Sequence, residues 1–394
     1  MPIANRITAF MERSSWIRKM FEEGAALKAK LGAENVFDFT LGNPDLSPPP
    51  EVEAELLKII QEKQPMKYGY MPNSGYPETR QAVADYLSTE QQTKVGANAI
   101  VMTCGAGGAL NVIFKAILNP GDEVIAPRPY FVEYNFYVDN HGGFLKTVAT
   151  LPDFTLDMDT IEAEITAKTR AVIINSPNNP TGAIFPEAQI KALGELLARK
   201  SAETGQTIYL ISDEPYRKII YDGAAVPPIF PFYANSIIAN SYSKDLSLAG
   251  ERIGFLALNP AADDFAQLTS GFLFCNRILG FVNAPGIMQR LVARFQGRSV
   301  DISLYQQKRD LLYTGLVEAG FTVAKPAGAF YLFPKSPLED DVEFVRTLQT
   351  FNILAVPGSG FGGPGYFRLA YCIDDASIKR SLPVFKKVGE KFFG

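Results

Sequence analysis

Short apolar runs that alternate with helical patterns constrain the fold of this chain more than any other feature. The runs are DEVIAP at 122–127, AVIINSP at 171–177, TIYLISDEPY at 207–216 and SIIANSYS at 236–243. A helical pattern over 186–200 separates two of them. Strands that are apolar throughout are buried on both faces, as in parallel sheets covered by helices. The sequence therefore predicts an α/β fold with a mostly parallel sheet flanked by helices.

Two further patterns indicate where one domain gives way to another. The proline-rich segment LGNPDLSPPP at 41–50 breaks a helical pattern and precedes helices predicted over 51–61 and 77–87. A long helical region is predicted over 285–319, with an interruption at Gly297. A smaller α+β segment then runs to the last residue.

A chain of 394 residues is long enough for two domains. We expect residues 46–290 to form a large α/β domain. Residues 1–45 and 291–394 are expected to form a smaller α+β domain from both chain ends.

Composition excludes several classes of protein. A formal net charge of -4 without a long basic run argues against nucleic acid or an anionic membrane as the main partner. No signal-peptide run and no stretch of about 18 apolar residues is present. The cysteines are three in number and lack CxxC spacing, and the only histidine is His141. These features argue against disulfides, metal sites and Ser-His-Asp triads. We expect a cytoplasmic protein whose partners are small molecules.

The segment SYSKDLSLAGERIG at 241–254 places one lysine among small hydroxylated residues. Ser241 and Ser243 precede Lys244, and Arg252 follows it. Hydroxyls and a guanidinium suit a phosphate, and an amine beside them suits a Schiff base with a phosphorylated aldehyde. Taken alone, however, Lys244 is more simply explained as an exposed loop lysine.

Polar or glycine-rich residues follow several predicted strands, where ligands bind in open α/β sheets. Asp213 and Tyr216 follow one strand, the turn PNNPTG with Asn179 follows another, and CGAGGAL follows a strand predicted over 99–103. A carboxylate beside a pyridine ring would keep the ring nitrogen protonated, and a glycine-rich turn that opens a helix can hold a phosphate. Each of these features also has a plainer explanation as a cap, a turn or a close packing contact.

Nine segments together resemble the class I and II pyridoxal-phosphate-dependent aminotransferases of fold type I. In the order of that family they are LGNPD, YMPNSGYPETR, VMTCGAGGAL, GDEV, NSPNNPTG, SDEPY, SYSKDLSLAGERIG, GAFYLFP and GYFRLAY. The likeness covers nearly the whole chain. It implies a pyridoxal 5'-phosphate cofactor and a homodimer with a shared active site.

The resemblance assigns the chemistry to particular residues. Lys244 would carry the cofactor as a Schiff base and move the proton at the substrate Cα. Asp213 would pair with the pyridinium nitrogen, while Asn179 and Tyr216 would hydrogen-bond the 3-oxygen of the ring. Phe131 in RPYFVEY would stack on the ring, with Tyr130 as the second choice for that role.

The resemblance also assigns the residues that bind the phosphate and the substrate. The phosphate ligands would be the backbone N–H groups of Ala106 and Gly107, the side chains of Ser241, Ser243 and Arg252, and the partner subunit's Tyr70. Arg368 in FRLAY resembles the arginine that binds the substrate α-carboxylate, with Gly42 and Asn179 beside it.

The predicted reaction moves an amino group from an L-amino acid to a 2-oxo acid in a ping-pong cycle. Aspartate or another dicarboxylic amino acid is the first choice of donor. The alternatives are aromatic or alanine-type transamination, a C–S β-lyase of the same fold, and a regulatory module that keeps the cofactor without turnover.

Two positions depart from the family pattern. Thr79 replaces the usual leucine before an arginine, which is an interior packing change. Gly108 occupies a position where some aspartate-specific members carry a lysine for the distal carboxylate. Arg13, Arg18 or Arg277 would then have to supply that charge.

Overall fold

A computed structural model describes the backbone of residues 3–394 and the side chains of 3–11 and 23–394. In chain order the strands are β1 (Phe37–Asp38), β2 (Ile100–Thr103), β3 (Glu123–Arg128), β4 (Phe144–Ala149), β5 (Thr169–Asn175), β6 (Tyr209–Asp213), β7 (Ser236–Ser241), β8 (Gly254–Leu258), β9 (Tyr331–Leu332), β10 (Ile353–Leu354), β11 (Val356–Pro357) and β12 (Phe367–Ala370). The helices are α1 (Asn5–Leu31), α2 (Glu51–Gln61), α3 (Pro77–Glu90), α4 (Gly105–Ile117), α5 (Tyr134–Asp139), α6 (Met158–Glu164), α7 (Glu187–Thr204), α8 (Phe265–Ile278), α9 (Gly286–Ala293), α10 (Ile302–Glu318), α11 (Asp341–Thr350) and α12 (Asp375–Phe393).

The chain forms two compact units. The larger unit comprises Pro44–Ser303 and Ala327–Ala329, and the smaller one comprises the chain up to Asn43, Leu304–Pro326 and Phe330–Gly394.

The larger unit is built on one seven-stranded sheet with the order β2-β8-β7-β6-β5-β3-β4. Strand β8 runs antiparallel to both neighbours, and every other pair in the sheet is parallel. The predicted α/β class with a mostly parallel sheet is therefore confirmed. The antiparallel β8 carries no strand prediction from the sequence.

Strand β6 shows why these runs are apolar throughout. Leu210 packs into a hydrophobic cluster on one face of the sheet, and Tyr209 and Ile211 pack into a second cluster on the other face. Successive side chains of a strand point to opposite faces, so a strand covered by helices on both sides needs an apolar residue at every position.

The predicted helices agree with the structure within a few residues. Helix α2 has the predicted bounds, and the helical region predicted over 285–319 with an interruption at Gly297 consists of α9 and α10. Gly297 lies between them with a φ of +77°, a left-handed backbone conformation that a continuing α-helix does not contain.

The division between the units falls after Ser303 rather than after residue 290. Leu291, Val292 and Phe295 are buried in the hydrophobic core of the larger unit. Their burial explains why the end of α9 and the residues just after it pack with the larger unit.

The smaller unit combines both chain ends in an α+β arrangement. Strand β1, from the amino-terminal part, pairs in parallel with β10, and β11, β12 and β9 form a small antiparallel sheet. Phe39 and Phe385 pack with ring centroids 5.8 Å apart, which joins the segment after β1 to α12. Among the described residues, no helix has both the length and the apolar character that a bilayer crossing needs.

Candidate active site

The register of the large sheet brings the polar strand ends to one edge. Asn175, the last residue of β5, lies opposite Asp213, the last residue of β6. Gly254 of β8 lies between Ser241 of β7 and Thr103 of β2. Because the strands that end here run in the same direction, the segments that follow them lie along the same edge of the sheet.

Asp213 is a buried carboxylate with one hydrogen-bonded oxygen. The hydroxyl of Tyr134 donates to Oδ2 at 2.5 Å, and the side-chain amide of Asn175 donates to the backbone carbonyl of Asp213 at 2.8 Å. Oδ1 is buried and has no hydrogen-bond partner within the described part of the chain. Burial raises the pKa of Asp213 to about 7, Glu214 adds to this rise, and the Tyr134 hydrogen bond opposes it.

This arrangement fits a protonated pyridine nitrogen. A buried carboxylate is costly unless a cation or a donor faces it. A ring N–H⁺ opposite Oδ1 would supply both the missing donor and the missing positive charge. The buried acceptor therefore agrees with the role that the resemblance implies for Asp213.

The turn after β5 is fixed by asparagine side chains. Oδ1 of Asn175 accepts a hydrogen bond from the backbone N–H of Asn179 at 2.7 Å. Oδ1 of Asn178 accepts from the backbone N–H and the hydroxyl of Thr181 at 3.1 and 2.9 Å. These bonds hold the PNNPTG turn against the end of β5.

Lys244 and Tyr216 approach each other at the ends of neighbouring strands. Lys244 Nζ lies 5.9 Å from the centroid of the Tyr216 ring. Tyr216 is buried and Lys244 is half-buried. The lysine that the sequence singled out is thus not an ordinary exposed loop lysine.

The glycine-rich turn meets Arg252. Gly105 has a φ of +71°, and a Cβ built there would lie 2.9 Å from a guanidinium nitrogen of Arg252. Helix α4 begins at Gly105, so the N–H groups of Ala106 and Gly107 have no partner within the helix. Backbone donors at a helix start beside a guanidinium suit an anion such as a phosphate.

The side chains of Ser241 and Ser243 are buried at the end of β7, where Ser241 is level with Gly254. The candidate residues of the larger unit that lie at this edge of the sheet are Ala106, Gly107, Phe131, Asn179, Asp213, Tyr216, Ser241, Ser243, Lys244 and Arg252. No group of three or more His, Cys, Asp or Glu side chains is placed to hold a metal ion in the described residues.

Two tyrosines that the sequence analysis did not assign belong to this region. Tyr134 contacts Asp213 and also meets the Phe131 ring edge-on, with centroids 5.5 Å apart. Burial and the nearby Glu133 and Asp213 carboxylates raise the pKa of Tyr137 to about 12, while Arg252 opposes the rise.

A sequence signal was available for some of the unassigned residues. Tyr134 is the last residue of the motif RPYFVEY and lies three residues after Phe131. Asn175 is a polar residue at the end of an apolar strand, which is the same feature that identified Asp213. Nothing comparable in the sequence marks Tyr137.

In the smaller unit, Arg368 is buried between two aromatic rings. Its guanidinium carbon lies 4.7 Å from the ring centroid of Tyr331 and 4.6 Å from that of Phe361. One terminal nitrogen donates to the backbone carbonyl of Thr40 at 2.6 Å. A Cβ on Gly42 would overlap the Tyr331 hydroxyl, so the backbone there needs a glycine to lie this close to the ring.

The remaining candidates lie elsewhere or outside the described side chains. Tyr70 is 87% exposed, and Arg277 lies exposed on α8 with its guanidinium 5.2 Å from the Phe274 ring. Arg13 and Arg18 fall among the side chains that the structure does not describe. Thr79 is buried and donates to the Gln289 carbonyl at 3.1 Å.

The raised pKa of Asp213 gives a testable pH dependence. The folded pKa is about 7 against an ordinary value of 3.8, so the folded chain binds an extra proton between these values. The ligand-free protein should therefore lose stability as pH rises from about 4 to about 7. Relative to Asp213→Asn, the loss should be on the order of 4 kcal/mol. Urea unfolding at a series of pH values measures the difference.

Tyr134→Phe is the matched variant for this experiment. It keeps the carboxyl group but removes the hydrogen bond that lowers the pKa of Asp213. The stability loss should then continue to a higher pH than in the unaltered chain. If the free energy of unfolding changed with pH in the same way in the unaltered chain and in Asp213→Asn, this result would contradict the raised pKa of Asp213.

Comparison with known proteins identifies the family of this chain. Residues 34–384 match the family model for aminotransferase class I and II. A probable aspartate aminotransferase of Methanocaldococcus jannaschii is 32% identical over 368 residues, covering 91% of this chain and 95% of the relative. An aspartate aminotransferase of Bacillus subtilis is 29% identical and covers 99% of this chain and 100% of the relative.

Solved structures give the same result. An aminotransferase of Eubacterium rectale matches with a TM-score of 0.95 and 39% identity, covering 100% of both chains. An aspartate aminotransferase of Thermus thermophilus with maleate matches with a TM-score of 0.85 and 28% identity, covering 98% of this chain and 100% of that chain.

These matches confirm the resemblance that the nine sequence segments indicated. Enzymes of this family generally depend on pyridoxal phosphate. The chain belongs to the class I and II aminotransferases and is a transaminase.

Proposed function

We propose that the chain transfers an amino group from a dicarboxylic L-amino acid, with aspartate as the first choice, to a 2-oxo acid by a ping-pong mechanism. The larger unit is the proposed binding domain for pyridoxal 5'-phosphate. The observation that carries the proposal is the buried Asp213 carboxylate, whose Oδ1 has no partner among the described residues, at the same sheet edge as Lys244. When bound, pyridoxal phosphate supplies an electron sink for the bond that breaks at the substrate Cα.

Lys244 has two proposed roles, covalent attachment of the cofactor and proton transfer. Its Nζ lies 5.9 Å from the Tyr216 ring, so the amine and the phenol share one part of the site. The amine would take the proton from the substrate Cα and return a proton later in the cycle. Asn179 and Tyr216 are the proposed donors to the 3-oxygen of the cofactor ring.

Asp213 would keep the ring nitrogen protonated. Tyr134 and Asn175 fix the orientation of the carboxylate and of its backbone, because each donates a hydrogen bond to Asp213. Phe131 packs edge-on against Tyr134 and is the proposed stacking partner of the ring.

The phosphate would be held by Ala106, Gly107, Ser241, Ser243 and Arg252 of one subunit and by the partner subunit's Tyr70. Tyr70 is 87% exposed and therefore accessible to a second chain. We accordingly propose a homodimer with shared active sites.

Arg368 is the proposed ligand of the substrate α-carboxylate, and Gly42 and Asn179 are the other proposed substrate-binding residues. The Tyr331 and Phe361 rings pack close to the guanidinium, which restricts its movement before a substrate binds. A planar guanidinium forms two parallel hydrogen bonds with a carboxylate.

The choice of a dicarboxylic donor is supported by the relatives, several of which are described as aspartate aminotransferases. Gly108 cannot supply a side-chain charge for a distal carboxylate. That charge has to come from another basic residue, for which Arg13, Arg18 and Arg277 remain the proposed candidates.

The donor class is tested by single-turnover kinetics with a panel of amino acids. We expect aspartate and glutamate to convert the bound cofactor to its amine form faster than tyrosine or alanine. Stopped-flow absorbance measures the rates. Release of pyruvate and ammonia without a 2-oxo acid acceptor would instead indicate a β-lyase.

Lys244→Ala should abolish covalent attachment of the cofactor while the chain remains folded, because no other lysine is proposed to carry the aldehyde. Borohydride reduction followed by peptide mapping should place the pyridoxyl group on Lys244 in the unaltered enzyme and nowhere in the variant. Lys191→Ala, an exposed change on α7, is the matched control. A pyridoxyl group on a different lysine would refute the assignment.

Arg368→Ala should weaken binding of the amino acid without loss of the cofactor. A charge-assisted hydrogen-bond pair contributes about 1.5 to 3 kcal/mol, so KM should rise roughly 10- to 150-fold. Arg368→Lys keeps the positive charge but loses the planar guanidinium. Its KM should lie between that of the unaltered enzyme and that of Arg368→Ala. Steady-state kinetics with aspartate measures both variants, and an unchanged KM in Arg368→Ala would show that another group binds the carboxylate.

A further inference from the structure

Two short turns carry the proposed catalytic side chains, and both also carry buried charged residues. Asp213 ends β6, and the turn after it contains Tyr216, followed by Lys218. The turn after β7 contains Lys244, followed by Asp245. The proposed mechanism uses neither Lys218 nor Asp245.

Lys218 and Asp245 form an ion pair that joins the two turns. Lys218 Nζ lies 2.9 Å from Asp245 Oδ2, and the side chains are 17% and 9% exposed. Burial raises the pKa of the Asp245 carboxyl, whereas the Lys218 ammonium lowers it. The lysine therefore favours the charged form of the buried aspartate.

Other contacts restrict both members of the pair. Lys218 Nζ lies 4.8 Å from the centroid of the Tyr86 ring and donates to the Arg298 carbonyl at 3.2 Å. The Asp245 carbonyl accepts a hydrogen bond from the Val300 N–H at 2.7 Å. The segment around residue 300 thus contacts both turns.

A second group of charges fixes the turn after β6. Glu214 accepts from the Ser212 hydroxyl at 2.8 Å and pairs with Arg217 at 3.2 Å. Arg217 also pairs with Glu90 of α3 at 3.0 Å and donates to the Val226 carbonyl at 3.1 Å. The turn that follows Asp213 and carries Tyr216 is thereby anchored to α3.

A small cavity of about 20 Å³ lies among these groups and has Glu90, Glu214, Lys218, Tyr242 and Asp245 among its lining residues. A cavity of this size holds one water molecule. Glu214 and Asp245 are buried beside this cavity, whereas the Lys218 and Glu90 side chains are partly exposed.

We propose that the Lys218–Asp245 ion pair positions the Lys244 amine relative to Tyr216 and Asp213. Lys218 and Asp245 are positioning residues that act through the backbone of the two turns. The pair spans the gap between the turn after β6, which α3 anchors, and the turn that carries the lysine. The inference rests on the proposed function, because Lys244 must be the group that transfers the proton.

The experiment compares Asp245→Asn, Lys218→Met and the double variant in the full-length enzyme with its cofactor. Asp245→Asn keeps the shape of the side chain and removes its charge. Misplacement of a reacting group by about 1 Å costs up to about 100-fold, so kcat should fall roughly 10- to 100-fold. KM for the amino acid should stay within about threefold, because the pair does not contact substrate.

Lys218→Met should lose more activity than the double variant. It leaves Asp245 buried without its cation, whereas the double variant removes both charges. If the two residues act as one unit, the kcat of the double variant should be no lower than that of Asp245→Asn. Glu162→Gln is the control, because it removes ion pairs to Arg199 and Lys200 on the surface of the same unit.

A second measurement does not depend on turnover. Hydrogen–deuterium exchange of the cofactor-free protein should become faster in peptides covering 214–219 and 241–248 of Asp245→Asn, and should stay unchanged over α6 and α7. Unchanged exchange in both turns, or a lower melting temperature with unchanged kcat, would overturn the inference. Failure of the proposed function would appear differently, as an unaltered enzyme that does not transaminate or that carries its cofactor on another lysine.

Discussion

The burial of a carboxylate at the end of β6 is the constraint on which the rest of the site depends. Asp213 has been removed from water, and its partners within the larger unit are neutral donors, Tyr134 and Asn175. A buried acid in such surroundings takes up a proton unless a cation faces it. The buried acceptor therefore suits the positively charged ring nitrogen that we propose for this site.

The parallel sheet provides the geometry that this carboxylate requires. Its register aligns the ends of β5, β6 and β7, so three loops that are distant in sequence lie along one edge. The antiparallel β8 places Gly254 between Ser241 and Thr103. A Cβ at Gly254 would lie 2.9 Å from the Cα of Gly105, so the glycine allows the glycine-rich turn to pack closely against the strand. Arg252, two residues earlier, reaches the same turn.

The residues that directly follow the proposed catalytic residues are charged and buried. Glu214 follows Asp213, Arg217 follows Tyr216 and Asp245 follows Lys244, and all three are buried. Buried charges are tolerated when each is paired with good geometry, and such pairs hold their backbones in place. A network of this kind can hold reacting side chains in position without contacting the ligand.

The sequence by itself determined the fold class, the family and most of the candidate residues. The reason is that strands buried on both faces must be apolar, and that the motifs at their ends use unusual residue combinations such as SYSK and PNNPTG. Only the tertiary structure decided which side chains surround them. Tyr134, Asn175 and the Lys218–Asp245 pair act through contacts between segments far apart in the chain, and no local pattern encodes such contacts. The position of the unit boundary likewise depends on the burial of Leu291, Val292 and Phe295, which only the packed core fixes.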